Sequence, residues 1–431
     1  MRQLTVALVG LGSRGKDAYA PVAKKIPEKM KIVAIADIDP SKVEEVASIY
    51  DVPKQFCFSS AEELLAQEKL ADLMFISTQD RQHVGHAIPA LKKGYDILLE
   101  KPISPNLEEC KEILKVANEN NRKVVVCHVL RYTPFYQKVK EILDTGTIGA
   151  VGTVMAIENV GYWHQCHSFV RGNWRNSGTT SPMILQKCCH DMDLILWLTG
   201  KQSKYISSFG DTYLFKKENA PEGATLRCMD GCKAKESCPF DAEKIYIKNK
   251  ATGIEAGHKG WPCNVLTLHP TKESVTEAIQ NGPYGRCVYH CDNNVVDHQV
   301  VNICMTDGST VSFTMTGFTE TNSRYAKFMG TKGELIANLH TNIIEVMPFG
   351  GEKQVIDVSK LADDFSGHAG GDNKMVEEFI DMIIEEKEPS ASMTTLERSV
   401  ESHLIALAAE KSRVENGRVI DLNDMYLNEN I

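Results

Sequence analysis

Hydrophobic positions along the chain run in two rhythms. Short, nearly continuous apolar runs occupy residues 4–9 (LTVALV), 31–36 (KIVAIA), 72–77 (DLMFIS), 96–99 (DILL) and 124–127 (VVVC). A strand covered on both faces needs such a run, because neither side meets water. Helical stretches at about 16–25, 40–50, 82–93 and 107–120 separate these runs. Strands alternating with helices of that length predict a doubly wound parallel sheet over residues 1–125.

Beyond Arg131 the alternation stops. A helix near 135–145, an extended run at 151–160 and a helical run around 190–198 precede short β-rich segments at 300–306, 310–318, 333–338, 343–348 and 354–358. The turns Asp307-Gly308 and Lys332-Gly333 make neighbouring segments antiparallel partners. Two amphipathic helices, at about 373–385 and 396–414, close the chain. Residues 126–431 are therefore expected to form a second, α+β domain on an open, mainly antiparallel sheet, serving substrate binding and oligomerisation. Residues 221–283 are rich in Cys, Lys, Gly and Pro and read as an insertion in it.

Composition narrows the partners. A chain of 431 residues with 42% hydrophobic content has room for two or three domains. Its net charge of −9 argues against a nucleic-acid or anionic-membrane partner and for a small molecule. No apolar run approaches the roughly 20 residues of a membrane helix. The N-terminus enters a strand without a signal-sequence pattern, so the cytoplasm is the expected compartment. There the 13 cysteines are more readily thiols or metal ligands than disulfides.

The first strand runs into Gly10-Leu11-Gly12-Ser13-Arg14-Gly15, a GxGxxG placed between a strand and a helix. The first glycine makes a tight turn, the second admits a pyrophosphate to the backbone, and the third lets helix and strand pack. Asp37 ends the second strand, where a carboxylate accepts from ribose hydroxyls and repels a 2′-phosphate. This is the signature of a Rossmann dinucleotide-binding domain, with NAD preferred over NADP. Arg14 stands as a competing candidate to reach a phosphate.

Four places together resemble the Gfo/Idh/MocA superfamily of oxidoreductases. They are the glycine turn with Asp37, the strand-end run Ser77-Thr78-Gln79-Asp80-Arg81-Gln82-His83, Glu100-Lys101-Pro102, and Asn173-Trp174-Arg175 followed by Cys189-His190-Asp191-Met192-Asp193. The resemblance implies that Ser77, Thr78, Gln79, His83, Glu100, Lys101 and Trp174 line the cofactor side. It also implies that Arg131, Arg175, Asp191 and Asp193 lie towards the substrate.

Oxidising a secondary alcohol needs a base near the hydroxyl and a donor to steady the developing charge. Lys101, just after a strand end, and His190, at the start of an apolar helix, are the candidates, and the resemblance makes them the catalytic pair. The family's usual pattern carries an Asp four residues before this His. Gln186 stands there, which cannot exchange protons, and Asp191 or Asp193 is left to orient the imidazole. The aromatic stretch Tyr162-Trp163-His164 offers a face on which a sugar ring could stack or, equally, core packing.

Cys228-x3-Cys232-x5-Cys238 lies in the insertion, with Cys287 or Cys291 as a fourth ligand and Cys263 behind them. The spacing fits a structural zinc, with an iron–sulfur cluster or unligated thiols as alternatives. Cys57, Cys110, Cys127 and Cys304 read as small buried residues, and Cys188-Cys189 lacks a complete Cys-His-acid arrangement. The leading expectation is an NAD-dependent dehydrogenase of a sugar or polyol, forming a homodimer or homotetramer. A glycoside-cleaving enzyme with tightly held NAD and a non-enzymatic NAD sensor or scaffold are the competing readings.

Overall fold

The computed structural model describes residues 2–361 and 370–428. Strands β1 (Leu4–Val9), β2 (Met30–Ala36), β3 (Cys57–Phe58), β4 (Leu73–Ile76), β5 (Asp96–Leu99) and β6 (Val124–Val126) form a parallel sheet in the order β3-β2-β1-β4-β5-β6. The order reverses between β1 and β4, so the crevice at their carboxyl ends is the natural ligand site. The helix expected over 16–25 appears in two pieces, Ser13–Tyr19 and Val22–Lys25, with Pro21 between them.

Strands β7 (Val151–Gly161), β8 (Ser203–Asp211), β9 (His298–Met305), β10 (Thr310–Thr319), β11 (Ser323–Gly330), β12 (Gly333–Asn338), β13 (Ile343–Pro348), β14 (Gln354–Asp357) and β15 (Ile420–Asp421) form the second sheet. Its order is β14-β13-β12-β11-β7-β10-β9-β8-β15, antiparallel except for the β7/β10 pair. Val154, Val301, Phe313, Met315, Phe328 and Leu335 turn inward into one core with Met192, Ile195 and Ile405 from helices Cys189–Thr199 and Leu396–Val414.

The chain does not divide cleanly at residue 125. Helix Gly371–Ile384 returns to the parallel sheet, where Met375 and Phe379 pack with Leu8, Phe75 and Leu98. Leu396 and Val400 cover the opposite face, beside Ile76 and Leu99. Both flanks of the Rossmann sheet are thus completed from the far end of the sequence.

The segment between β8 and β9 also departs from a plain insertion loop. It has its own small core, in which Phe240, Ile245, Tyr246 and Val275 meet Cys166 and Val170, and a helix, Lys272–Asn281, capped by Thr271.

His403, on helix Leu396–Val414, fastens that helix to the loop after β5. Its Nδ1 donates to the Ser399 carbonyl (2.7 Å), so the imidazole is neutral and its Nε2 accepts from the Ile103 amide (2.8 Å). Burial pushes its pKa down to about 3, and that of His167 likewise to about 3. The unfolded value is near 6.5, so this contribution to stability is complete above pH 6.5 and is lost as pH falls below it. Each histidine should cost about 2 kcal/mol at pH 5 relative to pH 7. Thermal unfolding across that range should show a falling midpoint, with a shallower slope for His403→Gln; an unchanged slope would contradict the assignment.

Candidate active site

The glycine turn divides its labour as the spacing requires. Gly10 has φ +86°, and a Cβ there would stand 2.5 Å from the Ser77 carbonyl oxygen at the end of β4. At Gly15 a Cβ would stand 2.0 Å from the Gly10 carbonyl oxygen, whereas at Gly12 it would meet nothing within 4 Å. Backbone crowding therefore explains the first and third glycines, and open space the second. That space, beside exposed Ser13, fits a pyrophosphate. Asp37 holds the turn, since its carboxylate accepts from the Leu11 amide (2.6 Å) and the Asp39 amide (2.9 Å). Ile38 is 87% exposed next to it and offers an apolar face to a flat ring. The sequence reading did not single out Ile38.

Arg14 does not wait for a phosphate. Its guanidinium donates to Glu100 (2.7 Å), to the Tyr19 hydroxyl (2.7 Å) and to both oxygens of Asp372 (2.6 and 3.2 Å). Tyr19 also donates to Glu100, and the other Glu100 oxygen accepts from the Lys101 amide (2.9 Å). Glu100, 5% exposed, is thus a structural anchor for the glycine turn. Its carboxyl stays below the usual range despite burial, because Arg14 and Lys101 oppose the desolvation. Tyr19 and Asp372 went unnoticed in the sequence; nothing local marks a partner 358 residues away.

Lys101 reaches across from β5, and its ammonium donates to the Gln186 carbonyl (2.9 Å). Gln186 closes helix Met183–Gln186, four residues before His190. The main chain at this position therefore seats the lysine, whatever the side chain. His190 is 7% exposed and its ring stands edge-on to His128, with centroids 5.5 Å apart. His128 is fully buried between His190 and His403, and burial, with Arg131 and Lys101 nearby, holds its pKa well below the ordinary value.

Both carboxylates expected beside His190 are engaged by arginines. Asp193 forms a bidentate pair with Arg131 (2.7 and 2.6 Å), the two side chains 1% and 4% exposed. Asp191 accepts from Arg324 (2.8 and 3.2 Å), which also pairs with Glu158 across the β7/β11 register. Lys187 lies 3.3 Å from Glu158 and completes the cluster. Arg131, Asp191 and Asp193 consequently fix the His190 helix in place. Burial raises the Glu158 carboxyl above its usual range, although Arg324 and Lys187 pull it the other way.

The strand-end run after β4 behaves similarly. His83, 1% exposed, lies between the carbonyls of Pro102 (2.7 Å) and Thr78 (3.0 Å) and staples two loops of the cleft together. Thr78 bonds His86, which bonds Glu62 (3.1 Å each). The Ser77 hydroxyl is buried without a protein partner, and Gln79 is exposed. The Trp174 indole donates to Asp80 (3.1 Å), which also accepts from Ser181. Arg175 pairs with Asp292 (2.7 and 3.1 Å) at the base of the cysteine-rich segment and is thereby occupied.

The aromatic stretch is joined by a residue from the insertion. Trp261, 38% exposed, packs its ring 5.2 Å from Trp163, 4.8 Å from His164 and 5.3 Å from His167. The Tyr162 hydroxyl accepts from Asn249 (3.1 Å), and Asn264 reaches Asp17 on the helix behind the glycine turn (3.1 Å). The insertion thus spans from the aromatic patch to the dinucleotide-binding lobe. A lysine-rich, irregular composition concealed this.

Cys228, Cys232, Cys238 and Cys287 line one narrow cavity with Arg171, while Cys291 stands aside and donates to the Cys287 carbonyl. Among the described residues no group of three or more His, Cys, Asp or Glu side chains is arranged to hold a metal ion.

Family models match two consecutive parts of the chain. Residues 4–128 match the oxidoreductase family with an NAD-binding Rossmann fold, and residues 136–243 match the GFO/IDH/MocA C-terminal domain. The chain belongs to the Gfo/Idh/MocA family. This Gfo/Idh/MocA protein is an NAD(P)-dependent oxidoreductase with an NAD-binding Rossmann domain. YteT of Bacillus subtilis (strain 168), named as an oxidoreductase, is 23% identical over 398 residues, 86% of this chain and 87% of its own. Inositol 2-dehydrogenase of Corynebacterium glutamicum (strain ATCC 13032) is 26% identical over 207 residues, 47% of this chain and 56% of its own. The match thus spans only about half of that dehydrogenase.

Two solved structures share the fold. An Agrobacterium radiobacter oxidoreductase in complex with NAD+, L-tartaric acid and magnesium superposes with a TM-score of 0.69 at 14% identity, covering 98% of this chain and all of that one. The aldose-aldose oxidoreductase of Caulobacter crescentus, complexed with glycerol, gives 0.67 at 13% identity, covering 97% and 100%.

The glycine geometry separates binding from folding. Gly12→Ala should leave the unfolding temperature nearly unchanged while weakening NAD affinity at least about tenfold, read by calorimetric titration. Gly15→Ala should lower the unfolding temperature itself, because the Gly10 carbonyl must move.

Proposed function

We propose that this protein oxidises a secondary hydroxyl of a sugar, sugar derivative or polyol, with Lys101 and His190 handling the proton and NAD taking the hydride. The observation that carries this reading is the seating of Lys101 on the Gln186 carbonyl, which brings its ammonium to the main chain just before the helix that bears His190, at the carboxyl edge of the sheet. Gly10, Leu11, Gly12 and Ser13 would hold the pyrophosphate, and Asp37 the adenosine ribose, which disfavours NADP. When bound, the nicotinamide supplies the hydride acceptor. Lys101 donates a hydrogen bond to the substrate oxygen and steadies its charge as the proton leaves, and His190 receives that proton. Gln186 contributes by its main chain, so the loss of the family's acid there need not disable the lysine. Trp163, Tyr162 and Trp261 form the apolar wall against which a ring would rest.

Lys101→Met should reduce turnover at least about a thousandfold, with NAD affinity within a few-fold of wild type. Substrates are found by screening sugars and polyols for NADH absorbance. Unchanged turnover in the variant would refute the role of Lys101, and binding of NAD without turnover of any sugar or polyol would favour the sensor or scaffold reading.

A second reading, cleavage of a glycoside through transient oxidation by retained NAD, is favoured by one contact, the Asn264 to Asp17 bridge over the glycine-turn helix. Incubation with candidate glycosides separates the two. Free sugar without NADH accumulation supports cleavage, and stoichiometric NADH with an intact glycoside supports net oxidation.

The second sheet supports self-association. Its outer face exposes Met155, Tyr205, Phe209, Val300 and Phe318, with Phe209 and Val300 directly paired across β8 and β9. Covering such a face by a second copy gives a homodimer, or a homotetramer if dimers pair again. Light scattering at micromolar concentration should give at least twice the 47.9 kDa chain mass. A monomer would refute it. No helix among the described residues is long and apolar enough to cross a membrane. With the net charge of −9, this favours the cytoplasm and a small-molecule partner over nucleic acid or lipid.

A further inference from the structure

Thr78 is held more closely than a loop residue beside the glycine turn requires. Its carbonyl accepts from His83 (3.0 Å), and a Cβ on Gly10 would stand 2.9 Å from its amide nitrogen. Its hydroxyl meets Nδ1 of His86 (3.1 Å), in the first turn of helix His83–Lys92. The other ring nitrogen, Nε2, meets the carboxylate of Glu62 on helix Ala61–Ala66 (3.1 Å). A hydroxyl, an imidazole and a carboxylate thus lead from the cofactor crevice to the surface, with His86 5% exposed and the Glu62 side chain 71%.

The direction of each hydrogen bond follows from the outer end. The main-chain amide of Glu62 itself, His86 and Ser60 hold the Glu62 carboxyl below its usual range, so it is ionised at neutral pH and can only accept. Nε2 of His86 therefore carries a proton and donates to it. A neutral imidazole has one N–H, which leaves Nδ1 with a lone pair. The Thr78 hydroxyl gives its one proton to that lone pair, and Oγ1 keeps only acceptor capacity for a ligand. No second charge competes for the imidazole. Of the other residues lining the cavity of about 450 Å³ beside it, Leu65, Ala66, Gly85 and Pro89 are apolar, and Gln82 turns its Oε1 to the Gln79 amide (3.3 Å).

We propose that Glu62 and His86 are positioning residues for the cofactor, which make the Thr78 hydroxyl a fixed acceptor for a ribose hydroxyl of NAD; this rests on the NAD reading of the crevice and adds a second discriminating group to it. A ribose hydroxyl brings the proton that such an oxygen needs, whereas a phosphate oxygen brings only lone pairs and is turned away. Strands β2 and β4 flank β1, whose glycine turn takes the pyrophosphate. Sugar hydroxyls are then read on both sides of that turn, by Asp37 after β2 and by Thr78 after β4. Neither Glu62 nor His86 has to touch the cofactor, because both act through the orientation of one O–H bond.

A double-mutant cycle on the full chain, read by calorimetric titration with NAD, tests this. Thr78→Val, which removes the hydroxyl, should weaken binding about tenfold, and Glu62→Gln about threefold. The double variant should bind within about twofold of Thr78→Val alone, since Glu62 acts through the hydroxyl. Losses that multiply, to about thirtyfold, overturn the proposal, as does wild-type affinity in either single variant. Wild-type protein that binds no NAD overturns the cofactor reading along with it. Should Thr78→Val fail to fold, the wild-type protein decides. Nitrogen-15 NMR of its histidine rings at about pH 8, with the His86 signals identified by their loss in His86→Gln, should show the proton on Nε2. A proton on Nδ1, alone or with Nε2, overturns the proposal.

Discussion

Arg14 is where the molecule is tied together. One guanidinium, reaching back from the glycine turn, meets the carboxylate that directly follows β5 and the carboxylate that opens helix Gly371–Ile384. Both acids are almost wholly enclosed, so neither exchanges its partner for water cheaply; removing one member of such a buried set costs about 3–5 kcal/mol. The consequence for chemistry is immediate. Glu100, pinned by Arg14 and Tyr19, also accepts from the amide of the next residue, and that residue is Lys101. The cofactor turn and the lysine are therefore held by one buried cluster.

The remaining polar contacts of the cleft repeat this economy. Arg131 with Asp193 and Arg324 with Asp191 grip the first turns of one helix from two sides, and the main chain just before that helix seats the lysine. His83 and His403 fasten the loops behind it. Charged groups close to the reacting position mostly hold other groups, which leaves few of them free to touch a ligand. That is how a site can be pre-organised before a substrate arrives.

How much of this was legible in the sequence depended on the range of the interaction. The parallel sheet, the glycine turn and the long helices are written in local patterns, since burial on two faces or on one stripe dictates the spacing of apolar residues. Strands β8 and β11 escaped notice because they are half-wet. SRYAKFMG buries a single residue fully, and SKYISSFGD two. At the candidate site the residues could be named from the sequence, whereas the partners that hold them could not. Arg14, Arg131, Asp191 and Asp193 were marked as ligand-contacting groups, and each also holds a partner far off in the chain, which no local pattern shows. The insertion was the largest gap, because nothing in its composition signals that Trp261 returns to the aromatic patch.

The return of the chain end to the first sheet also bears on the order in which the protein can be made. Synthesis delivers all six parallel strands by residue 126, yet Leu8, Phe75 and Leu98 on one side and Ile76 and Leu99 on the other await residues 375–400. For more than half of translation the nascent nucleotide-binding lobe carries two incompletely covered apolar faces, an exposure that invites chaperones or misassociation. Its maturation is therefore a closing act of synthesis, although its sequence comes first.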